Sequence, residues 1–338
     1  MKLFRYILLI CFSFSGLFLK AQDPHFSQYF SAPLTLNPAA TGAFDGDHRV
    51  VANMRQQSMG SGVLFNTGTI SLDTKLIPGK IDEWDNWGLG VMALSDRSSG
   101  GALQSTYLGL STAYHKALGE DGLHTLGVGF QATYASKFID INKLSFASQF
   151  SSGGFDVTIP AGEDLVNNSV SYFDFNTGLL YSYKDEIKNF YFGASAYHLL
   201  QPKQTFFDGN DNKVLLRGTL QAGAGFLVND VHQLHLSSLY MQQGAAKEIS
   251  IGGAYGYSLG MEDENKFLYF GAWYRLKDAW YPYVGMQLNN IQAGLSYDVH
   301  SASWSNGAVQ KSRSIELSFV YIFKKEPGDK FRVPCAKF

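Results

Sequence analysis

Between residues 48 and 323, apolar and polar side chains alternate with a period of two, as they do along an extended strand that points successive side chains to opposite faces. In FDFNTGLLYSYK, Phe173, Phe175, Thr177, Leu179, Tyr181 and Tyr183 share one face; Asp174, Asn176, Gly178, Ser182 and Lys184 share the other, with Leu180 among them. In IQAGLSYDVH, Ile291, Ala293, Leu295, Tyr297 and Val299 oppose Gln292, Gly294, Ser296, Asp298 and His300. The same division runs through LRGTLQAGAGFLV and SIELSFVYIF, and no segment of similar length has helical spacing.

The pattern predicts about fourteen strands, near residues 48–57, 65–75, 86–96, 103–115, 122–136, 173–184, 189–201, 215–229, 231–241, 247–257, 267–276, 281–289, 290–300 and 312–323. Most are about ten residues long, the length a tilted strand needs to cross a bilayer. The long connections, 137–172, 202–214 and 301–311, follow the fifth, seventh and thirteenth strands, whereas the tight turns at Asn229-Asp230 and Asn289-Asn290 follow the eighth and twelfth. A membrane barrel with an even strand number gathers its long loops at one end and its short turns and termini at the other. A soluble sandwich has no reason to sort loops by parity and needs a second sheet over every apolar face. The predicted fold is therefore all-β: a transmembrane antiparallel β-barrel of about 14 strands in the outer membrane, with its termini in the periplasm.

The flanks complete the domain plan. Lys2 and Arg5 precede an apolar run from Ile7 to Leu19, with Ala21 as a small residue at a cleavage site, so residues 1–21 read as a signal peptide. Residues 22–47 form an N-terminal periplasmic segment, 48–323 the barrel, and 324–338 a periplasmic tail. Cleavage leaves Cys335 as the only cysteine, which excludes an internal disulfide. The 35 glycines, 26 phenylalanines and 19 tyrosines suit short turns, crowded strands and aromatic belts at two water–lipid boundaries. A net charge of -2 with no long basic stripe excludes nucleic acid as a partner.

The sequence shows no catalytic, cofactor-binding or metal-binding set. His115, His198, His235 and His300 lie in or at the ends of predicted strands and read as luminal or rim residues. The DGNDNK of Asp208–Lys213 has oxygen ligands at alternate positions, but Lys213 stands where an EF-hand needs glycine and Thr219 where it needs a bidentate acid. The GLG at Gly88 and the GAG at Gly223 open no helix and fit crowded strands. Arg55, Asp73, Arg217, Asp298 and Glu316 fall on lumen faces, where they either line a pore or pair off. In the connection 137–172, the apolar LSFASQF carrying Leu144, Phe146 and Phe150 calls for folding inward or contact with another protein.

The segment DPHFSQYFSAPLTLNPAATG, residues 23–42, has Phe26, Tyr29, Phe30, Leu34 and Leu36 as apolar surface that a disordered tail does not need. Pro33 and Pro38 restrict it without asking for ladder hydrogen bonds. It is expected to pack in or under the periplasmic mouth as a plug or docking element, with Phe26, Tyr29, Phe30, Asn37 and Pro38 as its contacts and NPAATG turning the chain into the first strand. The FSQY at Phe26–Tyr29, the NPAATG at Asn37–Gly42 and the Arg55-Gln56-Gln57 of the first strand together resemble the start of the PorP/SprF family of outer-membrane proteins tied to type IX secretion in Bacteroidetes. The resemblance implies a non-enzymatic barrel of about fourteen strands. Its partners would be type IX components or a large secreted adhesin-like client, as in gliding motility, together with outer-membrane lipid and no small-molecule substrate. A passive porin or apolar-solute channel would show the same alternation and stands as the alternative.

Overall fold

The computed structural model describes residues 23–57, 65–76, 84–156, 158–160, 168–206, 212–229, 231–260, 266–300 and 313–324. The expected signal peptide, Cys335, most of the DGNDNK turn and nearly all of the C-terminal tail lie outside them. In chain order the strands are β1 (His48–Gln57), β2 (Phe65–Leu76), β3 (Asn86–Ser98), β4 (Leu103–Ala117), β5 (His124–Ile139), β6 (Phe150–Ser151), β7 (Gly154–Phe155) and β8 (Ser169–Lys184). They continue with β9 (Lys188–Tyr197), β10 (Arg217–Asn229), β11 (His232–Gln243), β12 (Ala246–Ser258), β13 (Lys266–Arg275), β14 (Ala279–Leu288), β15 (Ile291–His300) and β16 (Arg313–Phe323). β6 and β7 pair only with each other; the other fourteen form one closed antiparallel barrel, with β16 returning to β1 so that Glu316 lies opposite Arg55.

Alternation sorts the side chains as expected. Leu108 and Leu110 on β4, Phe130 on β5, Leu179 on β8 and Val284 on β14 are exposed on the outside, the apolar face that hydrocarbon covers. Thr67, Asp73, Gln131, Asn176, Ser296 and Glu316 point inward and are buried. Polar lumen residues are buried because the lumen is full: residues 23–47 occupy it, with one α-helical turn at Pro33–Leu36 between 3₁₀ turns at Tyr29–Ser31 and Pro38–Ala40. The largest buried apolar cluster is accordingly inside the barrel, where Tyr29 and Phe30 meet Trp273, Tyr281 and Tyr283.

The barrel has a near end, where β1 begins and β16 finishes, and a far end, which carries the long connections 140–168, 198–216 and 301–312. The N-terminal segment, expected in or under the near mouth, lies inside the barrel and extends beyond that mouth to the far end. Asp23 N donates to Oε1 of Gln243, the last residue of β11 at the far end, at 2.9 Å. Near the other end of the segment, Asp47 N donates to Phe323 O at 2.8 Å, beside the start of β1. The chain therefore descends the length of the lumen before entering the wall. Inward side chains such as Glu316, Asp73 and Arg55 take up backbone polar groups of the segment, pairing groups on both sides away from water.

Candidate functional site

Three sets of wall residues hold the plug. At the far end, Asp23 lies between His198 Nε2, at 2.5 Å, and Arg217 Nη1, at 3.4 Å, while His198 Nδ1 contacts Asp174. Burial works against charge on His198, but its hydrogen bonds to Asp174 and Asp23 outweigh burial and raise its pKa above the usual 6.5. Burial likewise opposes ionisation of Asp23, and the bond to His198 with the charges of His198 and Arg217 overcomes it and holds the carboxyl below its ordinary range. Arg217 also stacks over Tyr197, 4.1 Å from the ring centre.

Next along the plug, still in the far half of the barrel, the FSQY turn is clamped. The Glu316 carboxylate accepts the backbone N–H of Ser27 at 2.7 Å and of Gln28 at 2.8 Å, one on each oxygen. Ser27 Oγ donates to Asp298 at 2.7 Å and accepts Arg275 Nη2 at 2.7 Å. Arg55 ties the preceding residue, donating to His25 O at 2.7 Å and to Asp298 at 3.1 Å, and His25 Nε2 is 2.8 Å from Glu248. Gln28 donates to Ser296 Oγ and Glu316 O and accepts Ser318 Oγ, so its whole amide is used. Phe30 stacks on Trp273 at 4.7 Å between ring centres and meets Tyr283 edge-on at 5.5 Å, and Tyr29 Oη pairs with Ser237 Oγ at 2.8 Å. Phe26 is buried in a second cluster with Leu94, Tyr107 and Tyr172.

Toward the near end, NPAATG is fixed by its own chemistry. Asn37 Oδ1 accepts Ala39 N at 2.9 Å, capping the turn that Pro38 begins, and Nδ2 donates to Leu179 O at 2.9 Å across the wall. A Cβ on Gly129 would overlap the backbone of Pro38 and Ala39, so the wall is glycine where the turn touches it. Gly42, at φ 73°, lets the chain reverse; its N–H goes to Asp73, which also holds both Nε and Nη2 of Arg49 at 3.0 and 2.8 Å. His115 Nε2 lies 3.0 Å from Thr41 O, a hydrogen-bonded lumen residue as expected.

The five luminal charges read from the sequence thus pair off instead of lining a pore. Phe26, Tyr29, Phe30, Asn37 and Pro38 all lie within the plug. The loop residues lie elsewhere: Leu144 and Phe146 are half-buried in the far-end connection, and Phe150 is 63% exposed, its ring 5.3 Å from Phe155 across the β6–β7 pair. Phe150 therefore does not fold into the lumen. Sequence reasoning missed Ser27, Gln28, Asp174, Glu248 and Arg275 as clamp residues. The last three sit at inward positions of predicted strands, and a charge at inward parity was the signal available.

Solved structures share this architecture. The chain superposes on the toluene transporter TbuX of Ralstonia pickettii with a TM-score of 0.50 and 10% identity, covering 87% of this chain and 94% of that one. A Pseudomonas aeruginosa FadL homologue gives 0.48 and 12%, covering 85% and 93%, and the toluene transporter TodX of P. putida 0.44 and 10%, covering 88% and 95%. No curated protein matches the chain in sequence. The family model described as type IX secretion system membrane protein PorP/SprF matches residues 18–321, which include the three motifs that the clamp and the turn explain. The chain belongs to the PorP/SprF family of type IX secretion system membrane proteins.

Proposed function

We propose that this barrel is a non-enzymatic, closed-lumen component of type IX secretion that works by holding a protein partner, either an adhesin-like client or a part of the machinery. Family and fold support an outer-membrane location. In this reading the near end faces the periplasm and the far-end connections face outward. The observation that carries the proposal is the plug: buried ion pairs and aromatic stacking seat it along the whole lumen, leaving the outer surface and the loops for function. His198, Asp23 and Asp174 are spent on one another across plug and wall, which speaks against acid–base catalysis there. Copurification from gently solubilised outer membrane tests the reading. A large secreted protein recovered with the barrel supports the client role and periplasmic ring proteins the machinery role; recovery of neither contradicts the proposal.

A second reading, an apolar-solute channel, draws on the fold shared with TbuX, a toluene transporter, and on a cavity of about 130 Å³ bordered by Phe30, Leu36, Phe44 and Leu180. Rapid solute flux in liposome swelling with the wild-type protein would favour it over a plugged barrel.

A further inference from the structure

A closed barrel has no edge strands, yet here one strand outruns its neighbour. β8 pairs with β5 up to Ser169 opposite Phe138, but with β9 only from Thr177 to Lys184. β9 stops at Tyr197 because His198 takes a left-handed backbone, φ 62°, and sets its ring between Asp174 and Asp23. The following chain folds over the lumen, where Val214 joins the cluster around Phe26 and Lys137 donates to Gln204 Oε1 at 2.7 Å. Leu199 N donates to Phe175 O at 3.1 Å, the last backbone bond on that side of β8 among the described residues. Residues alternate in the side to which they bond, so Ser169, Ser171 and Phe173 turn their N–H and C=O groups the same way as Phe175, toward no described strand. Phe173 meets Tyr134 of β5 at 5.2 Å between ring centres, has no described neighbour on its other side and is 72% exposed.

The overhang stands above the lipid. β5 and β8 have 16 residues each, against 10 in β9, β13, β14 and β15. At roughly 3.3 Å per residue and a tilt of roughly 40°, the longer strands rise about 40 Å, while the apolar band of such barrels is about 25 Å tall. Residues 169–174 therefore reach water at the far end.

We propose that the β8 edge at Ser169–Phe173 is a β-augmentation site for an extended segment of another protein, which adds an antiparallel strand and lays an apolar side chain against Phe173. This deepens the partner-holding function and rests on it. Among the described residues these main-chain donors and acceptors stand unpaired in a row, and an extended backbone is the ligand that matches them. A second copy does not fit. Two barrels inserted the same way are related by an axis along the membrane normal, which lies in the plane of the wall, so two edges tilted by roughly 40° would cross at roughly 80° instead of forming a ladder.

The test places a benzophenone photo-crosslinker at Ser169, Ser171 and Phe173 of the full-length protein in cells, with Phe150 as a second far-end site and outward-facing Val284, mid-strand in β14, as a lipid-facing control, and maps the adducts by mass spectrometry. The proposal expects one partner segment whose attachment point moves back two residues each time the probe advances by two. It also expects Ser171→Pro to cut the yield from position 173 at least about tenfold while the heat-modifiable mobility of the folded barrel is kept. Adducts to this chain's own residues or to a second copy overturn the edge site. Partner adducts from Phe150 but none from 169–173 overturn the edge site and leave the partner function standing; no protein adduct from any far-end site overturns both.

Discussion

Glu316→Ala removes the group that holds the plug's turn. Its carboxylate binds two backbone N–H groups, at 2.7 and 2.8 Å, and lies 3.9 Å from Arg55 Nε. Breaking a buried ion pair from one side costs about 3–5 kcal/mol, and each stranded N–H about 1–3 kcal/mol. These costs overlap, so we expect a loss of about 4 kcal/mol, which shifts the ratio of seated to released plug about 1000-fold. Conductance in planar bilayers reads that ratio, with wild type, Glu316→Ala and a variant lacking residues 23–44 compared side by side. Wild type should be nearly silent, the deletion steadily open, and Glu316→Ala should open and close repeatedly. If Glu316→Ala stays as silent as wild type beside an open deletion variant, the clamp is not what seats the plug.

Three further outcomes follow from the same contacts. The His198 contribution is fully present below about pH 6.5 and is lost as pH rises through its raised folded value, whereas that of Asp23 is present above about pH 3.9 and lost as pH falls; protease cleavage within residues 23–36 should therefore increase on the alkaline side, and His198→Gln should flatten the profile. Asn37→Ala gives up a turn cap and a wall hydrogen bond, about 2 kcal/mol together, and should raise cleavage in the same segment by roughly one to two orders of magnitude. Gly129→Val drives a side chain into the Ala39 backbone and should unseat the plug or prevent the barrel from forming, while Gly218→Ala meets open space and should leave the heat-modifiable gel shift unchanged.

The wall was legible because each strand carries its own record: inward polar and outward apolar residues alternate locally, and the three longest connections fall at one end. That is why the expected strands, from 48–57 to 312–323, reappear as the wall. The plug was legible only as apolar and proline-stiffened. Its course through the lumen depends on pairs such as Gln28 with Ser318 and Ser27 with Glu316, nearly the whole chain apart, and these leave no local pattern. The overhang was illegible for a different reason. Alternation predicted a strand over 189–201 and another beginning at 173, but His198 ends β9 at Tyr197 by leaving the strand conformation, while β8 extends back to Ser169 because β5 continues beside it. Local periodicity does not say which neighbour a strand keeps. Arg275 and Glu248 stood at inward positions like many others, and only the closed barrel brings them to His25 and Ser27.

The N-terminal segment threads the lumen from far end to near end. Pulsed EPR distances from a spin label at Pro24 to labels at Lys247, beside the far end of β12, and at Asn289, in the near-end turn, measure it directly. β11 has 12 residues, so at roughly 3.3 Å per residue and a tilt of roughly 40° the two ends lie about 30 Å apart. The Pro24 label should lie within about 20 Å of Lys247 and about 30 Å or more from Asn289. A Pro24 label close to Asn289 and distant from Lys247 would place the segment under the near mouth and not through the lumen.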